Sequence, residues 1–136
     1  MRKSISEILA ETAKAKTSKQ KVEVLQDNNS VPLQTILRYT YNPEVEFLIP
    51  GSEPPYEPSD SPEGHGMLYS EARRLRIFVK GGGYDNLNQL RREVLFVEML
   101  ESIHKDDSKV LVEMLTKRKF KGITEKTVKA AFPDLF

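Results

Sequence analysis

Side chains that favour the first position of a helix recur along the chain, each just before apolar residues at helical spacing. Ser4 with Glu7, and Thr17 with Gln20, have the spacing of a capping box, in which each residue caps the other's backbone N–H. Further helix starts are expected at Ser30, at Asp85, at Asp106 or Asp107, and at Thr124. No segment combines two-residue alternation with hairpin turn signals. The sequence therefore predicts an all-α fold of six or seven helices, forming a single domain over residues 1–136.

The apolar face of each helix predicts the core. The helix after Asp85 carries the broadest face, so it is expected to be central and well buried. The preceding helix, over residues 68–79, is expected to end at three consecutive glycines from Gly81, which serve as a linker. The predicted core contains Ile8, Leu9, Leu25, Ile36, Leu37, Leu75, Leu90, Val94, Leu100, Leu111, Leu115 and Val128.

Residues 43–66 interrupt the helical pattern. They contain six of the eight prolines and six Asp or Glu, with no Lys or Arg. Proline cannot continue a helix or donate to a sheet, so we predict an acidic, proline-rich loop inserted between helices. A loop this long is often functional or mobile, and a tolerated surface insertion explains it equally well. The net charge of +1 thus combines two basic segments with an acidic one between them.

Several classes of chemistry lack their residues. The chain has no cysteine, which excludes disulfides and cysteine zinc sites, and its only histidines, His65 and His104, are expected at the surface. No nucleophile motif, phosphate-binding loop or metal-binding motif occurs, so we predict no enzyme activity, no cofactor and no metal. No apolar run is long enough for a membrane span, which predicts a cytoplasmic protein.

Two basic constellations carry the strongest functional signal. Residues 117–129 contain six basic residues and one acid, and they read as a helix end, a glycine turn and a new helix start. Residues 18–21 follow another helix start. Free N–H groups and the positive dipole end favour phosphate at such positions, although a solvated basic surface is the simpler interpretation. The candidate DNA-binding residues are Ser18, Lys19, Lys21, Lys119, Lys121, Gly122, Thr124, Lys126 and Lys129. Arg73, Arg74 and Arg76 form a third cluster, but they spread around their helix, and some of them are expected only to solvate it.

The order of several short runs suggests a family. They are Ser18 to Lys21, Leu37 to Tyr41, Gly66 to Leu68, Lys105 to Asp107 with Val110 and Leu111, and a closing pattern of Gly122, Val128, Pro133 and Leu135. Together they resemble the N-terminal, all-helical DNA-binding domain of T-even-phage-type ATP-dependent DNA ligases over nearly the whole chain. That domain grips the phosphates of nicked duplex DNA, whereas the catalytic lysine lies downstream in a K-x-D-G motif, which this sequence lacks.

The resemblance implies a free-standing, non-catalytic protein of bacteriophage DNA metabolism, acting in the cytoplasm of the infected bacterium. Its expected partner is double-stranded DNA, nicked or intact. One departure is that the family has basic residues after its third helix, where this chain is acidic from Pro50 to Glu63. Carboxylates repel phosphate, so this segment is not expected to touch DNA.

The departure keeps a second hypothesis open. A protein-interaction module on the same fold would bind replication or transcription machinery through the acidic loop or through the apolar C-terminus, at Phe132, Leu135 and Phe136. The same C-terminal residues also close the ligase domain, so helix packing is the simpler explanation for them. An unrecognised enzyme is a third, weaker hypothesis.

Overall fold

Helices account for most of the chain. The structure, a computed structural model, describes residues 2–61, 64 and 66–136. The elements are α1 (Ile5–Lys14), α2 (Ser18–Asp27), α3 (Val31–Tyr41), α4 (Leu68–Glu71), a 3₁₀ helix (Ala72–Phe78), α5 (Gln89–Ser102), α6 (Lys105–Thr116) and α7 (Glu125–Ala131). These described residues contain only two isolated β-bridges and no sheet, which confirms the all-α prediction for them. His65, and Pro62 and Glu63 of the predicted loop, lie outside the described residues.

Four predicted helix starts are confirmed. Ser4 and Thr17 each form a complete capping box with the residue three positions on. Ser30 accepts from the Leu33 N–H with a proline in the first turn of α3, and Thr124 accepts from the Thr127 N–H. Local sequence thus determines these starts, because a cap needs only a few adjacent residues.

The predicted caps at Asp85 and at Asp106 or Asp107 are wrong. Asn88 caps α5 instead, while the Asp85 carboxylate accepts from the Gly81 N–H at 3.0 Å. His104 caps α6, with its Nδ1 accepting from the Asp106 N–H at 3.1 Å. His104 therefore stands at the start of α6.

Asp107 has a different partner from the one predicted. Its side chain is 1% exposed, and its Oδ1 accepts from the Ser6 N–H at 3.0 Å. Ser6 lies in the first turn of α1, so a carboxylate of α6 satisfies a backbone donor at the start of another helix. This long-range contact ties α1 to α6.

The predicted helix over residues 68–79 divides into two. The α-helical part is a single turn, α4, and the 3₁₀ helix follows it directly. Val79 is extended and forms an isolated antiparallel bridge with Phe47. Leu48 N–H donates to the Phe78 carbonyl at 2.7 Å, which fixes the chain after α3 against the end of the 3₁₀ helix.

One hydrophobic core joins the helices, and ten of the twelve predicted core residues are buried in it. The exceptions lie on α5, where Leu90 is 72% exposed and Val94 is 40% exposed, so these two predictions are wrong. The buried face of α5 instead carries Arg92, Phe96, Met99 and Leu100.

Arg92 gives the physical reason for that orientation. Its guanidinium is buried and donates to the Ile77 carbonyl at 3.2 Å, the Gln89 side chain at 2.7 Å and the Tyr84 carbonyl at 2.7 Å. A buried charged group requires hydrogen-bond partners, and the Ile77 and Tyr84 carbonyls lie on the inner side of α5. The helix is therefore turned so that the stripe bearing Leu90 and Val94 faces outward.

None of the helices in the described part of the chain combines the length and apolar character that a bilayer crossing requires.

Candidate nucleic-acid interface

Helices α2 and α7 lie side by side and run in the same direction. Lys21, in the first turn of α2, donates from its Nζ to the Gly122 carbonyl at 2.5 Å, just before α7 begins. Gln26, in the last turn of α2, donates to the Ala131 carbonyl at 3.1 Å, where α7 ends. The starts of the two helices therefore lie at the same edge of the domain, and their positive dipole ends point the same way.

The Lys21 hydrogen bond also joins the two basic constellations that are about a hundred residues apart in the sequence. Residues 18–21 and 117–129 form one region, which we call the basic surface. Gly122 lies at its centre with a φ of +79°, and a Cβ there would come within 3.0 Å of the Ala13 side chain. The close backbone approach at Gly122 is thus to α1 of the same chain, and glycine is needed for the fold.

Tyr41 holds the turn between α6 and α7. Its hydroxyl donates to the Ile123 carbonyl at 2.6 Å and accepts from the Phe120 N–H at 2.8 Å. Burial raises the pKa of Tyr41, the hydrogen bond with Phe120 opposes that rise, and the Glu113 carboxylate adds to it. The neutral phenol, which both donates and accepts, is therefore the form that fastens the turn.

Arg118 fastens the same turn from the other side. Its φ of 55° is unusual for a residue with a side chain, and its guanidinium donates to the Thr40 carbonyl at 3.3 Å and the Asn42 carbonyl at 2.8 Å. These acceptors lie at the C-terminal end of α3, where carbonyls lack helical partners. Burial lowers the pKa of Arg118. This arginine therefore has a structural role, and it leaves the exposed cations of the turn to the lysines.

The predicted lysines differ in how far their charges are already engaged. Lys19, Lys119, Lys121 and Lys126 are exposed, and no carboxylate of the described residues lies within ion-pair distance of them. Lys129 pairs with Glu125 at 3.3 Å and also lies over the Phe136 ring at 5.2 Å. Its charge is therefore partly compensated within the domain.

The two hydroxyl candidates also differ. Ser18 is exposed at the first position of α2, next to the Thr17 cap. The Thr124 side chain is engaged as the cap of α7, as predicted, and it also bonds the Thr127 hydroxyl at 3.0 Å.

Sequence reasoning missed two lysines near this surface. Lys14 and Lys16 are exposed at the end of α1, next to Ala13, which contacts the Gly122 turn. Both lie within four residues of the start of α2, but the C-terminal end of a helix is not expected to bind phosphate, and so they were not predicted. They extend the positive charge along the same edge.

The two remaining predicted groups are the arginine cluster and the apolar C-terminus. Arg74 of the 3₁₀ helix pairs with Glu71 of α4 at 3.2 Å, and Arg76 lies over the Tyr84 ring at 5.6 Å. At the C-terminus, Phe132 is 9% exposed and Leu135 packs against the core, while Phe136 is 40% exposed. The apolar tail is thus mostly engaged with its own domain.

A family model covers most of this architecture. The family of unknown function DUF6433 matches residues 8–121, which is well over half of the chain. The chain belongs to the DUF6433 family. No curated protein and no solved structure matches it.

The DUF6433 match contains α2 and the first part of the basic turn, through Lys121, together with the whole of α5 and α6. Gly122, Thr124, Lys126 and Lys129 lie beyond it. The matched span therefore includes Lys21, Tyr41 and Arg118, whereas the Gly122 and Ile123 carbonyls that Lys21 and Tyr41 bind lie beyond it.

Proposed function

We propose that this DUF6433 protein binds duplex DNA without sequence preference and without catalysis, in the DNA metabolism of a bacteriophage. The observation that carries the proposal is the Lys21–Gly122 hydrogen bond, because it joins two lysine clusters into one basic surface. Phosphate contacts from lysines and helix starts supply affinity but no sequence information.

The resemblance to ligase DNA-binding domains supports the same proposal. The runs that carry it include residues 18–21 and Gly122, which belong to the basic surface. We propose that the chain has a ligase-DNA-binding-domain type of fold, used apart from the ligase chemistry in the cytoplasm of the infected bacterium. Incubation with ATP and magnesium should therefore leave the protein mass unchanged, and a mass increase matching AMP would contradict the non-catalytic proposal.

The direct test is fluorescence anisotropy with labelled nicked and intact duplexes over a series of salt concentrations. If the basic surface neutralises about four to six phosphates, the log–log slope of affinity against salt should be about −4 to −5. Lys121→Gln combined with Lys126→Gln should weaken binding to every duplex sequence to the same degree and flatten that slope.

The matched control removes the same charge from elsewhere. Lys80→Gln combined with Lys105→Gln changes two exposed lysines outside the basic surface and should leave the slope unchanged. Changing Glu53 or Glu57 to serine should leave DNA binding unchanged or improve it. If neither duplex binds at low salt, or if both double variants weaken binding equally, the DNA proposal is wrong.

A further inference from the structure

A cleft of about 550 Å³ lies between α5 and the segment of residues 48–57. Its interior is apolar, formed mainly by Ile49, Pro54, Val94, Val97 and Leu115. This is the same side of α5 that the sequence pattern assigned to the protein core.

The outer stripe of α5 has helical spacing suited to a docked chain. Leu90, Val94 and Val97 follow one another at four and three residues, so they form a continuous line of about 10 Å along the helix. Leu90 is 72% exposed and Val94 is 40% exposed. A contiguous apolar stripe that is partly exposed is typical of an interaction site.

The 48–57 segment is fastened to α5 at both ends of the cleft. Gln89 donates to the Leu48 carbonyl at 2.9 Å, and the Glu57 N–H donates to the Glu101 carboxylate at 2.8 Å. Between these points Pro54 and Pro55 have no backbone N–H to donate. The segment therefore borders the cleft without filling it.

Carboxylates surround the apolar interior. Glu53, Glu93, Glu98 and Glu101 line the cleft, and none of the described residues that line it is a Lys or Arg. Glu93 and Glu101 already accept hydrogen bonds from Gln89 and from the Glu57 backbone. This acidic cleft repels phosphate and favours a ligand that carries positive charge beside apolar groups.

We propose that the acidic cleft is a docking site for a short, basic, amphipathic helix of a partner protein. Apolar side chains of that helix would cover Val94 and Val97, and its lysines or arginines would pair with Glu53 and Glu98. Helix-in-groove recognition uses this combination of an apolar line and a charged border. The inference goes beyond DNA binding, because it uses a different surface of opposite charge.

The probe is a fluorescein-labelled synthetic peptide of about 14 residues, roughly four helical turns, made of leucine and lysine with the leucines on one face. Two control peptides separate the contributions. In one, serine replaces every leucine, and in the other, glutamate replaces every lysine. Only the leucine–lysine peptide should bind saturably in anisotropy titrations. When it is added, the changes in the protein's NMR amide shifts should be confined to residues 48–57 and 89–101.

Substitution of Val94 provides the decisive variant. Val94→Lys places a like charge in the path of the peptide and should weaken binding by about tenfold or more. Val31→Lys is the matched control, because Val31 is also an exposed apolar helix residue, at 78%, but does not line the cleft. The affinity of the Val31→Lys variant for the peptide should stay within about twofold of that of the unsubstituted chain. Circular dichroism confirms that both variants fold.

Three results of the peptide experiments would overturn the proposal. They are no saturable binding of the leucine–lysine peptide at low salt, amide shifts centred outside the cleft, and equal affinity for the Val94→Lys and unsubstituted proteins. Sedimentation equilibrium tests a second copy of this chain as the occupant, and a dimer that Val94→Lys dissociates would also overturn it. The variant that combines Lys121→Gln with Lys126→Gln should keep full affinity for the peptide. The peptide test therefore remains valid even if the protein does not bind DNA.

Discussion

The basic surface and the acidic cleft differ in what holds their charged groups in place. On the basic surface, Tyr41 and Arg118 fix the backbone of the turn through hydrogen bonds, while lysines such as Lys121 extend from it into solvent. In the acidic cleft, Glu101 is itself one of the ties that hold the neighbouring segment. On the basic surface, hydrogen bonds thus fix the backbone while the lysine charges are exposed, whereas in the cleft one of the carboxylates itself holds the wall.

The two proposals assign a different kind of partner to each of these surfaces. Flexible lysines adapt to the regular spacing of phosphates and need little shape complementarity. The cleft offers an apolar interior whose contacts depend on shape, with charge at its border to select the sign of the ligand. A chain with a net charge of only +1 can therefore present two oppositely charged sites.

The largest expected effect comes from the core that underlies both surfaces. Leu111 on α6 is fully buried, so Leu111→Ala should lower the free energy of unfolding by about 2–5 kcal/mol through lost burial and a cavity. Leu90→Ala is the same chemical change on the exposed stripe and should alter stability by less than about 0.5 kcal/mol. Urea unfolding of both variants measures the difference. Equal losses would mean that Leu90 is buried and that the acidic cleft has no exposed stripe.

The next effect concerns Arg92, the residue that orients α5. Arg92→Met keeps a long side chain but leaves the Ile77 carbonyl without its donor and removes one of the two donors of the Tyr84 carbonyl, which should cost about 2–4 kcal/mol. Arg91→Met is the control, because Arg91 is exposed one position earlier in the same helix. The comparison uses urea unfolding and amide shifts.

A contrary outcome for Arg92 would also be informative. Buried charged groups are sometimes replaced by apolar ones with no loss of stability. If Arg92→Met is as stable as the unsubstituted chain and its α5 amide shifts change throughout, then α5 has turned to bury Leu90 and Val94. The affinity of the acidic cleft for the peptide would then fall, because Val94 would no longer be exposed.

The same residues explain how far the sequence could be interpreted. Starts such as Ser4, Thr17 and Thr124 were predictable because a cap is decided within a few adjacent residues. The orientation of α5 was not, since both of its sides are apolar and the choice depends on Arg92 reaching carbonyls that approach it only in the folded chain.

The candidate sites show the same limit. The two lysine clusters were visible in the sequence, but the Lys21–Gly122 contact that unites them spans about a hundred residues. His104 could not be recognised as the cap of α6, because the end of α5 had to be known first. The acidic cleft needed both the exposed stripe and the position of residues 48–57, and neither follows from local pattern.

The smallest expected effect sharpens the account of the basic surface. Tyr41→Phe removes the donor to Ile123 and the acceptor for Phe120, and should lower the free energy of unfolding by about 1–2 kcal/mol. Amide exchange at Phe120 should become faster, and DNA affinity should fall while the salt slope stays the same, because no lysine is lost. Tyr84→Phe, at a tyrosine 38% exposed, is the control and should change none of these.

The pH dependence of the Tyr41 effect tests its cause. The folded pKa of Tyr41 is raised, chiefly by burial, above its unfolded value of about 10. The folded state therefore holds the phenolic proton more tightly, so this stabilisation is fully present below about pH 10 and is lost as the pH rises through the folded pKa. The stability gap between the unsubstituted chain and Tyr41→Phe should be constant from neutral pH to about pH 9 and should narrow above about pH 10.

Tyr56 and Tyr69 also have raised pKa values, but they are present in both chains and cancel in this difference. A gap that stays constant or widens at alkaline pH would show that the neutral Tyr41 hydroxyl does not hold the turn of the basic surface.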